Sequence, residues 1–71
     1  MSKLIRLAHD YGFGSVHDML EAATFDNIVP GICTNKSCNY STDVEPDSAD
    51  GWCEECSMNS VKSCLRLAGI I

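Results

Sequence analysis

Seventy-one residues carrying a net charge of −5 make one small domain, which buries only about 60% of the surface its unfolded chain exposes. Chains of this size usually need a staple: disulfides, a metal or a partner subunit. No run approaches 18 apolar residues, which argues against a membrane-spanning helix, and the interrupted opening MSKLIRLAHDYG is not that of a secretory signal.

Residues 4–11 read as a short helix, with Leu4, Ile5, Ala8 and Tyr11 on one face and Gly12 as its left-handed stop. Gly12 to Gly14 is a turn. Ser15 then caps a second helix over 16–24, with Asp18 completing an approximate capping box and Val16, Met19, Leu20 and Ala23 facing inward. Ile28-Val29-Pro30-Gly31-Ile32 is β-branched and broken by Pro-Gly, so it is read as an extended lead into the first cysteine pair. Tyr40 to Val44 alternates as a strand, with Tyr40, Thr42 and Val44 on one face. EPDSADG, residues 45–51, is read as a solvated acidic loop, after which Trp52 re-enters the fold as core. Ser60 can cap a third helix with Val61, Cys64, Leu65 and Ala68 inside and Gly69 at its end. A strand over 60–67 is the rival reading. The expected organisation is therefore a helical lead segment (1–27), a cysteine-rich middle (28–58) and a C-terminal helix (59–71).

The five cysteines decide the staple. An odd count fits poorly with closed disulfides. A chain lacking an export signal is expected in the cytoplasm, where thiols stay reduced. Four cysteines are spaced Cys33-x4-Cys38, then fourteen residues, then Cys53-x2-Cys56. Two cysteines a few residues apart can turn both sulfurs toward one point, and a second such loop completes a tetrahedron of soft ligands. Zinc on these four thiolates is the expected cofactor, one ion in a structural role, and iron is the alternative that a four-sulfur site also accepts. The spacing is that of a two-knuckle ribbon, and the fold class expected is a small α+β metal-stapled domain. Helices lead into a zinc ribbon of short antiparallel strands, and a helix follows. Asn39, directly after Cys38, is the residue expected to adopt a positive φ, with Ser57 fitting the equivalent place less well.

The remaining candidates read as ordinary structure. Cys64 is expected to be a buried apolar residue, and His9 and His17 surface histidines. Residues 33–56 hold Lys36 against six carboxylates, a net of −5, and the thiolates add more negative charge. Phosphate contacts depend on Lys and Arg, so this lobe is expected to repel a polyanion.

The knuckles CTNKSC and CEEC, with YSTDV between them, resemble the zinc-ribbon superfamily. The stretches LEAATFDNIVPGIC, GWCEEC and VKSCLRLAGII are similar to short bacterial zinc-ribbon proteins. The resemblance implies the same four ligands and a helical lead, and carries no activity with it. Where many ribbons have CPxCG, this chain has Glu54, Glu55 and Ser57, which makes the knuckle more acidic. The expected role is a protein-interaction module, or one that pairs with itself. A nucleic-acid-binding ribbon of the transcription or translation type and a rubredoxin-like iron carrier are the alternatives. An enzyme is not expected, because four protein ligands leave the metal no open position and no other catalytic set can be assembled.

Overall fold

Serine hydroxyls start all three helices of the computed structural model, which describes residues 2–70. Ser2 accepts from the Ile5 N–H and opens α1, Lys3–Asp10. Ser15 accepts from the Asp18 N–H and opens α2, Val16–Ala23. Each bond satisfies a helix-terminal donor that would otherwise lack a partner. α1 stops at a left-handed Gly12, where the Phe13 and Gly12 N–H groups bond back to the Ala8 and His9 carbonyls. This closure satisfies the last free carbonyls and turns the chain into α2.

Four strands come next: β1 Val29–Cys33, β2 Ser41–Val44, β3 Gly51–Cys53 and β4 Met58–Ser63. A single turn of helix, α3 Cys64–Leu67, comes last. The strands form one antiparallel sheet in the order β2-β1-β4-β3. The two hairpins, β1–β2 and β3–β4, lie side by side through β1–β4 pairing, in which Gly31 faces Ser63 and Cys33 faces Val61. Gly31 is required by close approach. A Cβ there would lie 2.6 Å from Val44 Cγ2 and 3.1 Å from the Lys62 carbonyl oxygen.

The apolar residues divide into two clusters. Leu7, Ala8, Met19, Ala23, Val29, Ile32, Cys64 and Leu65 form the helical core. Cys33, Cys53 and Val61 form a second cluster, with Cys38, Tyr40 and Cys56 against it. Val44 packs on both.

Several expectations need correction. The C-terminal helix expected over 59–71 is reduced to one turn at 64–67, and β4, 58–63, takes the place of its first half, as in the rival reading. Val61, Cys64, Leu65 and Ala68 satisfy helical spacing, but Val61 and Ser63 are buried with Lys62 exposed between them, a period of two. β1 offers a second edge, and β4 fills it. Ser63, not Ser60, is the cap of α3. In α1 the buried stripe runs through Leu4, Leu7 and Ala8, leaving Ile5 half exposed. Trp52 is 54% exposed and is not core. The acidic loop is tied down rather than free: Ser63 Oγ donates to the Pro46 carbonyl, the Ser63 N–H to that of Ser48, and Arg66 Nε to that of Asp47. Ile71, the end of the expected C-terminal segment, and Met1 lie outside the described residues.

Candidate metal centre

Each cysteine pair sits in the turn of one hairpin. Cys33 ends β1 and Cys38 closes the turn toward β2, with its N–H bonded to the Asn35 carbonyl. Cys53 ends β3 and Cys56 lies in the turn into β4. β1–β4 pairing brings these turns to the same end of the sheet, and the four Sγ atoms all lie within 4.8 Å of one another. Cys33 and Cys53 are buried, whereas Cys38 and Cys56 are partly exposed.

The sulfur spacing discriminates between the chemistries open to four thiols. Cys33 Sγ is 3.8 Å from Cys56 Sγ, and Cys38 Sγ is 3.7 Å from Cys53 Sγ. A disulfide requires about 2.05 Å. Four sulfurs at about 2.3 Å from a tetrahedral ion stand about 3.8 Å apart along each edge. Both close pairs run between the two hairpins, so the cluster joins the knuckles rather than closing either one alone. The donor set therefore fits a metal ion held by Cys33, Cys38, Cys53 and Cys56.

Hydrogen bonds prepare the sulfurs for charge. Ser60 Oγ lies 3.0 Å from Cys33 Sγ, with both residues buried, and the Cys56 N–H donates to Cys53 Sγ at 3.4 Å. Burial works against ionisation of Cys33. The Ser60 hydroxyl, the Asn35 backbone and the adjacent thiols outweigh it and hold this thiol down at about 6. At Cys38 the Tyr40 backbone favours the thiolate, but burial and the three neighbouring sulfurs prevail and push it up to about 12. Negative sulfurs so close together repel, and only a cation among them lets all four ionise.

Ser57 adopts φ 54°, and its N–H bonds to the Cys53 carbonyl. It is the only non-glycine residue with positive φ among the described residues, so the expectation placed on Asn39 is reversed. The second turn spans two residues between its cysteines and must bend sharply. The first has four and closes without the left-handed position.

Cys64 lies apart, buried in the helical core, and burial raises its thiol. His9 and His17 are exposed, and His17 Nε2 is 3.4 Å from Glu21. Sequence reasoning misses two contributors. Ser60 reaches Cys33 across 27 residues. Lys3 Nζ donates to the Asn35 carbonyl at 2.7 Å, to the Cys38 carbonyl, and at 3.5 Å to Asn39 Oδ1, holding the first knuckle against α1. Neither contact has a local sequence signal.

No protein-family model matches the chain, and neither a curated protein nor a solved structure does.

Proposed function

We propose that the four thiolates hold one structural zinc ion and that the chain is a zinc-ribbon-like module for protein interaction. The carrying observation is the pair of inter-hairpin sulfur separations, 3.7 and 3.8 Å, which suit a tetrahedral ion and no disulfide. Zinc is favoured over iron because the first knuckle is wider than the paired CxxC loops of rubredoxin-type sites. All four positions come from the protein, so the ion has scaffold chemistry: it closes the knuckles and leaves no site for substrate or water. Zinc–thiolate binding supplies on the order of 10 kcal/mol in small zinc domains, comparable with the whole stability of a typical domain.

The interaction role rests on surface composition. Phe25 is 86% exposed, and Ile28, Trp52 and Ile70 are about half exposed or more. The metal lobe is acidic, which ranks nucleic acid below protein as a partner. Metal analysis of purified protein should give one zinc per chain and no visible absorption. Chelator should collapse the amide spectrum, that of residues 33–56 included. Cys53→Ser should abolish metal binding, and Cys64→Ala should leave the stoichiometry unchanged. A coloured protein would identify iron instead. A metal-free protein with an unchanged spectrum would refute the structural role. Sedimentation over a concentration series separates self-association from capture of a different protein.

A further inference from the structure

Three of the chain's five basic side chains, Lys3, Arg6 and Lys36, converge on one cleft of about 540 Å³. Ser2, Thr34 and Asn39 complete its lining, and none of the chain's ten carboxylates belongs to it. One wall is the first turn of α1, which supplies Ser2, Lys3 and Arg6 and contains no acidic residue. The other is the first knuckle, where Thr34 and Asn39 each directly follow a cysteine of the metal cluster. Lys3 joins the walls through the Asn35 and Cys38 carbonyls.

Converging like charges repel, and in a chain with twice as many carboxylates as cations a neighbouring acid would be the ordinary remedy. It is supplied here only in part. Arg6 Nε bonds Asp10 at 3.2 Å, outside the cleft, and its Nη groups have no hydrogen bond among the described residues. Lys36 is exposed with no ion-pair partner among them. Asn39 Oδ1 accepts from Lys3, leaving its Nδ2 donors free on the same basis.

We propose that this cleft binds the phosphate dianion of a small monoester. Lys3 is held by three protein acceptors and contributes charge, while the Arg6 Nη groups and the exposed Lys36 keep donors to spare; three cations around one concavity suit a compact group of high charge, whereas a lone carboxylate needs only one. The cleft volume falls within the range of small-molecule sites, so it has room for more than the bare anion. Its lining has no aromatic side chain to stack a base, and the acidic metal lobe next to it opposes a chain of phosphates. The site needs the knuckle closed but is independent of which metal closes it.

Amide shifts of the metal-loaded protein test the assignment, with titrations of inorganic phosphate and phosphoserine against acetate and sodium chloride at matched ionic strength. Saturable shifts are expected at Lys3, Arg6, Thr34, Lys36 and Asn39, with phosphoserine binding more tightly than inorganic phosphate. Arg6→Gln and Lys36→Gln should each weaken binding about tenfold, the loss of one charge-assisted hydrogen bond. Neither residue touches the metal cluster, so the metal content of both variants should be unchanged. Absence of saturation by either phosphate probe, shifts centred on Lys62 and Arg66, or unaltered binding in Lys36→Gln would each overturn the proposal. So would an oligonucleotide whose affinity grows with its length, since that describes a polyanion surface.

Discussion

Replacing Ser60 by alanine isolates the hydrogen bond to the cysteine cluster from everything else the residue does. The Ser60 carbonyl accepts from the Thr34 N–H and hydroxyl, both at 2.8 Å, and survives the substitution. Only the hydroxyl, 3.0 Å from Cys33 Sγ, is lost. Hydrogen bonds to charged groups contribute about 1.5–3 kcal/mol. Removing a partner that supports a ligating group costs about ten- to a hundredfold in metal affinity. The Asn35 backbone still favours the Cys33 thiolate, which places the expected loss near the lower end, about tenfold. Competition against a chromophoric chelator reads this directly. Thr34→Val is the control, because it removes a bond to the Ser60 carbonyl without touching a sulfur, and it should leave the affinity near parental. Equal affinity in Ser60→Ala and the parent would show that the hydroxyl does not support the thiolate.

Two further perturbations probe the frame around the cluster. Gly31→Ala forces a Cβ to within 2.6 Å of Val44 Cγ2, and overpacking of this kind costs about 1–3 kcal/mol, or about 7–20 °C in Tm for a domain of this size. Adding Val44→Ala removes that contact, so the double variant should lose less than the sum of the single losses. Strict additivity in thermal unfolding would contradict the contact. Tyr11 donates to Asp43 at 2.7 Å, and burial, then that bond, raise its phenol above the ordinary value. A folded-state value above the unfolded one means that the contribution to stability is complete below about pH 10 and is lost as pH rises through the raised value. Phenolate absorbance in a Tyr40→Phe background should show the late titration, and Asp43→Asn should lower it in part, since burial, the larger cause, remains. Titration of Tyr11 at or below the ordinary value would refute the bond.

The four cysteines are legible in the sequence because ligand spacing is local: each pair fits in one turn, and tetrahedral geometry needs two such turns. The N-caps Ser2 and Ser15 differ in this respect. Ser15 precedes a clear apolar stripe and is readable, whereas Ser2 carries no comparable signal. The phase of α1 is ambiguous by one position, because Leu4 can begin the stripe through Ile5, Ala8 and Tyr11 as well as the one through Leu7 and Ala8. β4 is hidden for a different reason. Its residues satisfy periods of two and of 3.6, and the choice is made by the unpaired edge of β1, some thirty residues away. Ser60 and Lys3 reach their partners across similar distances, and nothing near them in the chain marks the contact.

The helical core draws its buried residues from both sides of residues 33–63: Leu7 through Ile32 before them, Cys64 and Leu65 after them, with Val44 packing on it from within. The metal lobe is thus an excursion that leaves this core and returns to it. If the knuckles open, the core must hold together the ends of a loop of roughly thirty residues, whose closure costs on the order of 3–4 kcal/mol. A core this small supplies rarely more than about 3–5 kcal/mol. Loss of the ion would therefore reach α1 and α2, although neither supplies a ligand, and the chain would exchange between assembled and disassembled states as one cooperative unit.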